Sequence, residues 1–375
     1  MTKGNSPVPI AMIRVDGHHK FGFGHLFRCL NIATAIRQRG SAIPMFLTLS
    51  ATLESGFDRL IEQFRFDAAS ISGTNPYEED LTATKRAIDQ NQPAVIITDL
   101  LTPDPSDRDL LDDELLNFVS VPAYINTLHK WGLPTISITD EIERILIRPD
   151  VVIDHSCHFP AEDYGQVPGS IFYLGPSYFP LGPDFAPHLA RRKSAPEKAT
   201  NILMMFGASD HNNFTLRSAR QLSTDPDLTM TVVLGPAVKD RGAISKELES
   251  LGARVLASVP SVAKLIFEAD LAITTGGNTC FEFAALGTPA LTLCTRERQN
   301  QNANYFESRG CIVNLGIGTQ VADVEIGDAA AALINDRSQR ETMSNAGRRT
   351  VDGKGLERIV EIVSRCTTSR QALPI

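Results

Sequence analysis

Short apolar runs alternate with amphipathic stretches along most of this chain. Residues 8–15 read as a first strand, with Pro9 near its start, where a missing N–H is tolerated. Residues 26–39 read as a helix that carries Leu30, Ala33, Ile36 and Arg37 on its inner face and ends at Gly40. The alternation continues with a strand at 43–49 and helices at 52–64 and 76–91. A buried strand at 94–99 ends on Asp99, and a helix over 107–128 is interrupted at Pro122. Strands at 135–139 and 151–154 complete this half. Strands spaced by helices are βαβ units, and helical crossovers require mostly parallel sheets.

Residues 172–187 hold Pro176, Pro180, Pro183 and Pro187 and predict an irregular passage, followed by a polar linker at 191–199. The pattern then restarts. Strands are expected at 201–206, 229–234, 253–256, 270–274 and 290–294. Helices are expected at 214–223, 243–251, 261–268, 279–285, 301–308, 324–334, 338–348 and 356–365. The chain therefore divides into a domain at 1–192, a second at 200–350, and a helix and tail at 351–375 that pack back toward the first. Ligands of such sheets bind beyond the carboxyl ends of the strands. A glycine-rich turn falls at such an end in each half, so two facing halves would set them across a cleft.

Composition narrows the function. The formal net charge of -8 argues against an electrostatic nucleic-acid binder. The six cysteines are scattered without a close metal-ligand pair, which fits buried thiols in a reducing cytoplasm. No run approaches the roughly 18 apolar residues of a membrane span. No signal peptide is visible, and a cytoplasmic enzyme without metal or cofactor is the expectation. The cluster from Asp154 through His155 and Cys157 to His158 lacks a second set of ligands for zinc. Gly-x-Ser-x-Gly is missing as well.

The first turn holds Gly22, Gly24 and His25 at the mouth of the 26–39 helix. Glycines allow close backbone approach, and a helix start offers free N–H groups and a positive dipole end to a phosphate. His25 is the leading general base, with His18 and His19 as competitors in the same loop. Asp16 either orients an imidazole, bonds a sugar hydroxyl, or caps a turn. Arg14 and Arg28 either neutralise a phosphate or carboxylate or form ion pairs; Arg28 lies one helical turn beyond His25.

In the second half, Ser209 and Asp210 follow a strand and either cap the next helix or touch substrate. The stretch Gly276, Gly277, Asn278 and Thr279 again joins a glycine turn to a helix start, an arrangement suited to anions. Glu282 lies a few residues along that helix, within reach of a ribose diol. Gln299, Asn300, Gln301, Asn302 and Asn304 form an amide cluster able to grip sugar hydroxyls and acetamido groups.

Taken together these residues resemble the UDP-sugar hydrolases of the pseudaminic acid pathway. That family is related to the peptidoglycan N-acetylglucosaminyltransferase and to spore-coat polysaccharide glycosyltransferases. The resemblance rests first on Arg14, Asp16, Gly22, Gly24, His25, Arg28, Cys29 and Leu30. It continues at Gly175, Pro176, Tyr178, Leu181, Pro183 and Phe185, and at Phe206, Gly207, Ser209, Asp210 and Asn213. It closes at Gly276, Gly277, Thr279, Glu282, Asn300 and Gln301. It implies an α/β GT-B fold of two Rossmann-like domains with parallel sheets. It also implies a metal-independent hydrolase that frees UDP from an amino- or deoxy-sugar with inversion, serving nonulosonic acid or surface polysaccharide synthesis. His25 and Asn300 would be catalytic, Glu282 would hold the uridine ribose, and Tyr178, Asp210, Asn213 and Gln301 would line the substrate site. A glycosyltransferase with a UDP-sugar donor is the alternative, and a UDP-sugar 2-epimerase is a third reading.

Overall fold

The computed structural model describes residues 7–16, 24–49, 67–71, 76–100, 121–139, 148–156, 169–207, 210–235, 238–257 and 259–368. It divides into two compact units. One comprises Met1–Pro180 with Lys354–Ile375, the other Leu181–Gly353.

The first unit is built on β1 (Ile10–Val15), α1 (Gly24–Arg39), β2 (Ile43–Leu49), β3 (Asp67–Ile71), α2 (Pro76–Asn91), β4 (Val95–Asp99) and α3 (Val121–Lys130). The strands β5 (Thr135–Ile138), β6 (Val151–Asp154) and β7 (Ile171–Leu174) follow. The sheet order is β3-β2-β1-β4-β5-β6-β7, and every recorded pairing is parallel. Order reverses between β1 and β4, where Val15 stands opposite Asp99. That reversal opens the crevice in which ligands of doubly wound sheets bind.

Side-chain alternation along β1 assigns its two faces. Ala11, Ile13 and Val15 pack with Leu26, Leu30 and Ile36 of α1. Met12 packs on the other side with Ile96, Tyr124 and Leu128, as a period of two requires. Arg14 shares parity with Met12 and so points away from α1.

The second unit begins with a short helix, α4 (Ala186–Leu189). It continues through β8 (Asn201–Met205), α5 (Phe214–Leu222), β9 (Thr229–Val233), α6 (Arg241–Ser250), β10 (Arg254–Leu256) and α7 (Ala263–Glu268). The strand β11 (Leu271–Thr274), α8 (Thr279–Leu286), β12 (Ala290–Cys294), α9 (Glu297–Ser308) and β13 (Ile312–Ile317) complete the sheet region. Two helices, α10 (Asp323–Asn335) and α11 (Arg337–Thr350), close the unit. The order β10-β9-β8-β11-β12-β13 reverses between β8 and β11, where Met205 stands opposite Thr274. The last helix, α12 (Gly355–Thr368), belongs to the first unit, and its Ile359, Val360 and Val363 lie in the same core as α1.

Several expectations are corrected. The helix α3 is not interrupted at Pro122; proline is its second residue, where its missing N–H is free anyway. Three strands escaped the pattern: β3, β7 and β13. The half-buried β7 lies inside the proline-rich stretch, and the rest of that stretch forms tight turns at Pro176–Tyr178 and Pro183–Phe185. Asn314 and Gly316 interrupt the apolar alternation of β13. The helix α9 begins four residues early, so Asn300 lies in its first turn and not ahead of it. The helix expected at 52–64 lies outside the described residues.

Candidate functional site

In the first unit the chemistry gathers at the β1/β4 reversal. Gly24 opens α1 and His25 follows it, partly buried at the helix mouth. Asp99 ends β4 and is wholly buried. His25 Nδ1 lies 2.7 Å from Asp99 Oδ1. Arg28, 4% exposed, donates from Nε to Asp99 Oδ2 and from Nη2 to Oδ1. The same Nη2 lies 2.8 Å from His25 Nδ1. Burial alone would raise the Asp99 carboxyl, but Arg28 and His25 outweigh it and hold it at about 2. An ionised carboxylate can only accept, so His25 Nδ1 is the donor in the contact with Asp99, with Arg28 Nη2 close to the same nitrogen.

Around this pair stand two residues to which the sequence assigned no role beside His25. His155, buried just after β6, places Nε2 3.4 Å from Arg28 Nη1. Cys29 turns its thiol toward Asp99 Oδ2 at 3.4 Å, and burial with the neighbouring Asp99 charge pushes that thiol well up. Asp99 itself carried a readable signal, an acid closing an otherwise apolar buried strand.

Arg14 and Asp16 form a different network. Arg14 is fully buried, with Nη1 2.7 Å from Asp16 and Nη2 2.5 Å from Asp80 of α2. Tyr124 of α3 also donates to Asp80. Asp16 accepts from the Leu49 N–H at 2.9 Å and from Thr48 Oγ1. Burial, reinforced by Asp80 and opposed by Arg14, raises the Asp16 carboxyl. Because Arg14 faces the layer opposite α1, its guanidinium does not meet His25. Tyr178, half-buried, rests against the Tyr173 ring. Gly22, His18 and His19 lie outside the described residues.

In the second unit the glycine turn sits at the β8/β11 reversal. Thr274 Oγ1 bonds Met205 O at 2.7 Å and lies 3.0 Å from Thr279 Oγ1. Gly276 has no room for a side chain: a Cβ there would meet Gln299 O at 2.3 Å. Gly277 is different, since its nearest neighbours would be 3.7 Å away. Asn278 precedes α8, which opens at Thr279 without a side-chain cap, and the Cys280 and Phe281 N–H groups donate back to Gly277 O and Asn278 O at 3.0 and 3.1 Å. Glu282 is half-buried on that turn and has no hydrogen-bond partner among the described residues. Burial, with the charge of Asp184 adding, pushes its carboxyl up to about 8.

The amide cluster separates into braces and outward groups. Asn302, 5% exposed, donates to Gly276 O at 2.7 Å and so holds the turn. Gln299 accepts from Thr295 N–H. Asn300, Gln301 and Asn304 remain toward the surface. Asp210 accepts from the N–H groups of Phe214 and Thr215, at 2.9 and 3.0 Å, and thereby caps α5. Asn213 precedes that helix in a left-handed conformation. Ser209 lies outside the described residues.

Residues 205–352 match the glycosyltransferase family 28 C-terminal domain. The structure resembles MurG of Acinetobacter baumannii with a TM-score of 0.65 at 16% identity, over 95% of this chain and 99% of that one. The kitacinnamycin glycotransferase gives 0.66 at 16% identity, over 96% and 100%. At such identity the likeness carries the fold, and that fold is GT-B: two Rossmann-like domains with parallel sheets. A spore coat polysaccharide biosynthesis protein of Bacillus subtilis, SpsG, is 29% identical over 212 residues, 53% of this chain and 62% of that protein. The chain spans 62% and 57% of the lengths of the curated relatives it matches.

These findings correct the expectation of a pseudaminic-pathway hydrolase. The matched domain model is that of glycosyltransferases. No helix among the described residues is long and apolar enough to cross a membrane.

Proposed function

We propose that this protein is a glycosyltransferase that passes a sugar from a UDP-linked donor to a hydroxyl of a growing surface polysaccharide. The match of the second unit to a glycosyltransferase domain supports the donor side. The name of the Bacillus subtilis relative supports the polysaccharide setting. The observation that carries the chemistry is the 2.7 Å bond between His25 and Asp99.

In this reading the α8 N-terminus and the glycine turn at Gly276 and Gly277 face the diphosphate, stabilising charge as it develops on the leaving UDP. Glu282 accepts from the ribose hydroxyls. His25 Nε2 takes the proton of the acceptor hydroxyl while its oxygen bonds to C1 and the C1–O bond to UDP breaks. Asp99 stabilises the imidazolium formed, and Arg28 keeps Asp99 ionised. A single displacement of this kind inverts C1.

The test is UDP release from a panel of UDP-sugars with and without oligosaccharide acceptors. Release should require an acceptor, and His25→Ala should lower kcat by at least about 100-fold without changing UDP affinity. Equal release in the absence of acceptor, or full activity in the variant, would refute the reading.

A further inference from the structure

One side chain that no motif pointed to governs the outward amides of the second unit. Asn314 lies in β13 opposite Thr292, where the pairing of β12 and β13 slips between Thr292 and Cys294. The slip leaves the Gly316 N–H to be satisfied by a side chain, and it donates to Asn314 Oδ1 at 3.0 Å. Thr292 Oγ1 also reaches that oxygen, at 2.9 Å. The main-chain N–H of Asn314 is held by Glu307 Oε1 at 2.8 Å.

A backbone N–H can only donate, so the orientation of the Asn314 amide is decided. Its oxygen faces Gly316 and its NH2 faces α9. That NH2 donates to Asn300 Oδ1 at 2.9 Å and to Asn304 Oδ1 at 2.7 Å. Both of those amides are thereby fixed with oxygen inward and nitrogen outward. One Asn300 hydrogen leans toward the Glu297 carboxylate, 3.3 Å away. Asn304 has no further partner among the described residues. The outer face of α9 thus presents NH2 groups and withholds the carbonyls of the same side chains.

We propose that Asn314 is a specificity-determining residue that locks Asn300 and Asn304 as donors, so that this face takes an acceptor oxygen of the ligand. The inference rests on the donor reading given above and deepens it. The acceptor oxygen belongs either to the diphosphate or to an acyl carbonyl on the sugar, two sources of one chemistry. Asn314 acts through its neighbours and is a positioning residue.

The experiment compares Asn314→Asp with Asn314→Ala, measuring affinity for UDP, UDP-glucose and UDP-N-acetylglucosamine by calorimetry. The carboxylate introduced by Asn314→Asp keeps the Gly316 and Thr292 bonds but replaces the donor by an acceptor. Asn300 and Asn304 must then turn their NH2 groups inward and their carbonyls toward the ligand. Affinity should fall at least tenfold. Asn314→Ala frees both amides to turn as the ligand asks, and its loss should stay within about threefold. Thermal unfolding checks that both variants are folded. A mere charge effect of the new carboxylate would fade in 0.5 M salt, whereas a turned amide would not.

A loss shared by all three compounds identifies the diphosphate as partner. A loss confined to UDP-N-acetylglucosamine identifies the acyl carbonyl. Equal losses in the two variants, unchanged affinities in Asn314→Asp, or a loss removed by salt would overturn the inference while leaving the donor reading intact. Wild-type protein that bound none of the three would remove the donor reading itself, and this inference with it.

Discussion

Replacing Asp99 by asparagine tests the centre of the first unit. The Asp99 carboxyl is held at about 2 against an ordinary 3.8. That gap is about 2 pKa units at ~1.4 kcal/mol each, so the ionised form adds about 2–3 kcal/mol at neutral pH. Asparagine also leaves Arg28, 4% exposed, facing a neutral amide. Removing one partner of a buried ion pair costs about 3–5 kcal/mol, and the isosteric amide retains part of the hydrogen bonding. Asp99→Asn should therefore destabilise the protein by about 3 kcal/mol at pH 7.

The sign with pH follows from the lowered carboxyl. The contribution is complete above about 3.8 and disappears as pH falls through about 2. Denaturant unfolding of both proteins between pH 7 and pH 3 should show the stability gap narrowing toward acid. A gap below about 1 kcal/mol at pH 7, or one that does not change with pH, would refute the account of this network.

Four further outcomes are expected. Gly276→Ala should lower the unfolding temperature by several degrees, because its Cβ would strike the Gln299 backbone at 2.3 Å. Gly277→Ala should leave that temperature unchanged and weaken UDP binding at least tenfold in calorimetry, since only a ligand needs that space. Glu282 keeps its proton to about 8 when folded but loses it near 4.5 when unfolded. Stability should therefore fall as pH rises across that window, and Glu282→Gln should flatten the slope seen in denaturant titrations. Binding of UDP should release a proton between pH 6 and 7 in the wild type and none in Glu282→Gln, measured as a buffer-dependent binding enthalpy.

The alternation of strands and helices was legible because period-two and period-3.6 patterns report burial directly. Two of the strands missed, β7 and β13, are partly buried or carry a special residue. β7 is only half-buried beside four prolines, and β13 carries Asn314 and a left-handed Gly316 at a register slip. The helix α9 was shortened because its first turn is a run of charged and amide residues with almost no apolar stripe.

The candidate site could be drawn from the sequence where its residues are adjacent, as at Gly24 and His25 or Gly276 and Gly277. Partners brought from afar could not. Asp99 is 74 residues from His25, and of the two readings of Arg14, anion ligand or ion pair, strand parity and its contacts with Asp16 and Asp80 favour the second. The hydrolase expectation failed for a related reason. Hydrolysis and transfer differ in what is admitted as the nucleophile, and the motifs do not report that.

The position of α12 bears on how the molecule is made. Residues 181–353 are continuous in the chain and can pack as soon as they leave the ribosome. The first unit must wait, because Ile359, Val360 and Val363 of α12 belong to the same core as Leu26, Leu30 and Ile36 of α1. The part synthesised first is therefore completed last. Until α12 has been made, the α1 layer carries an uncovered apolar strip, the kind of surface that makes partly folded chains prone to aggregate.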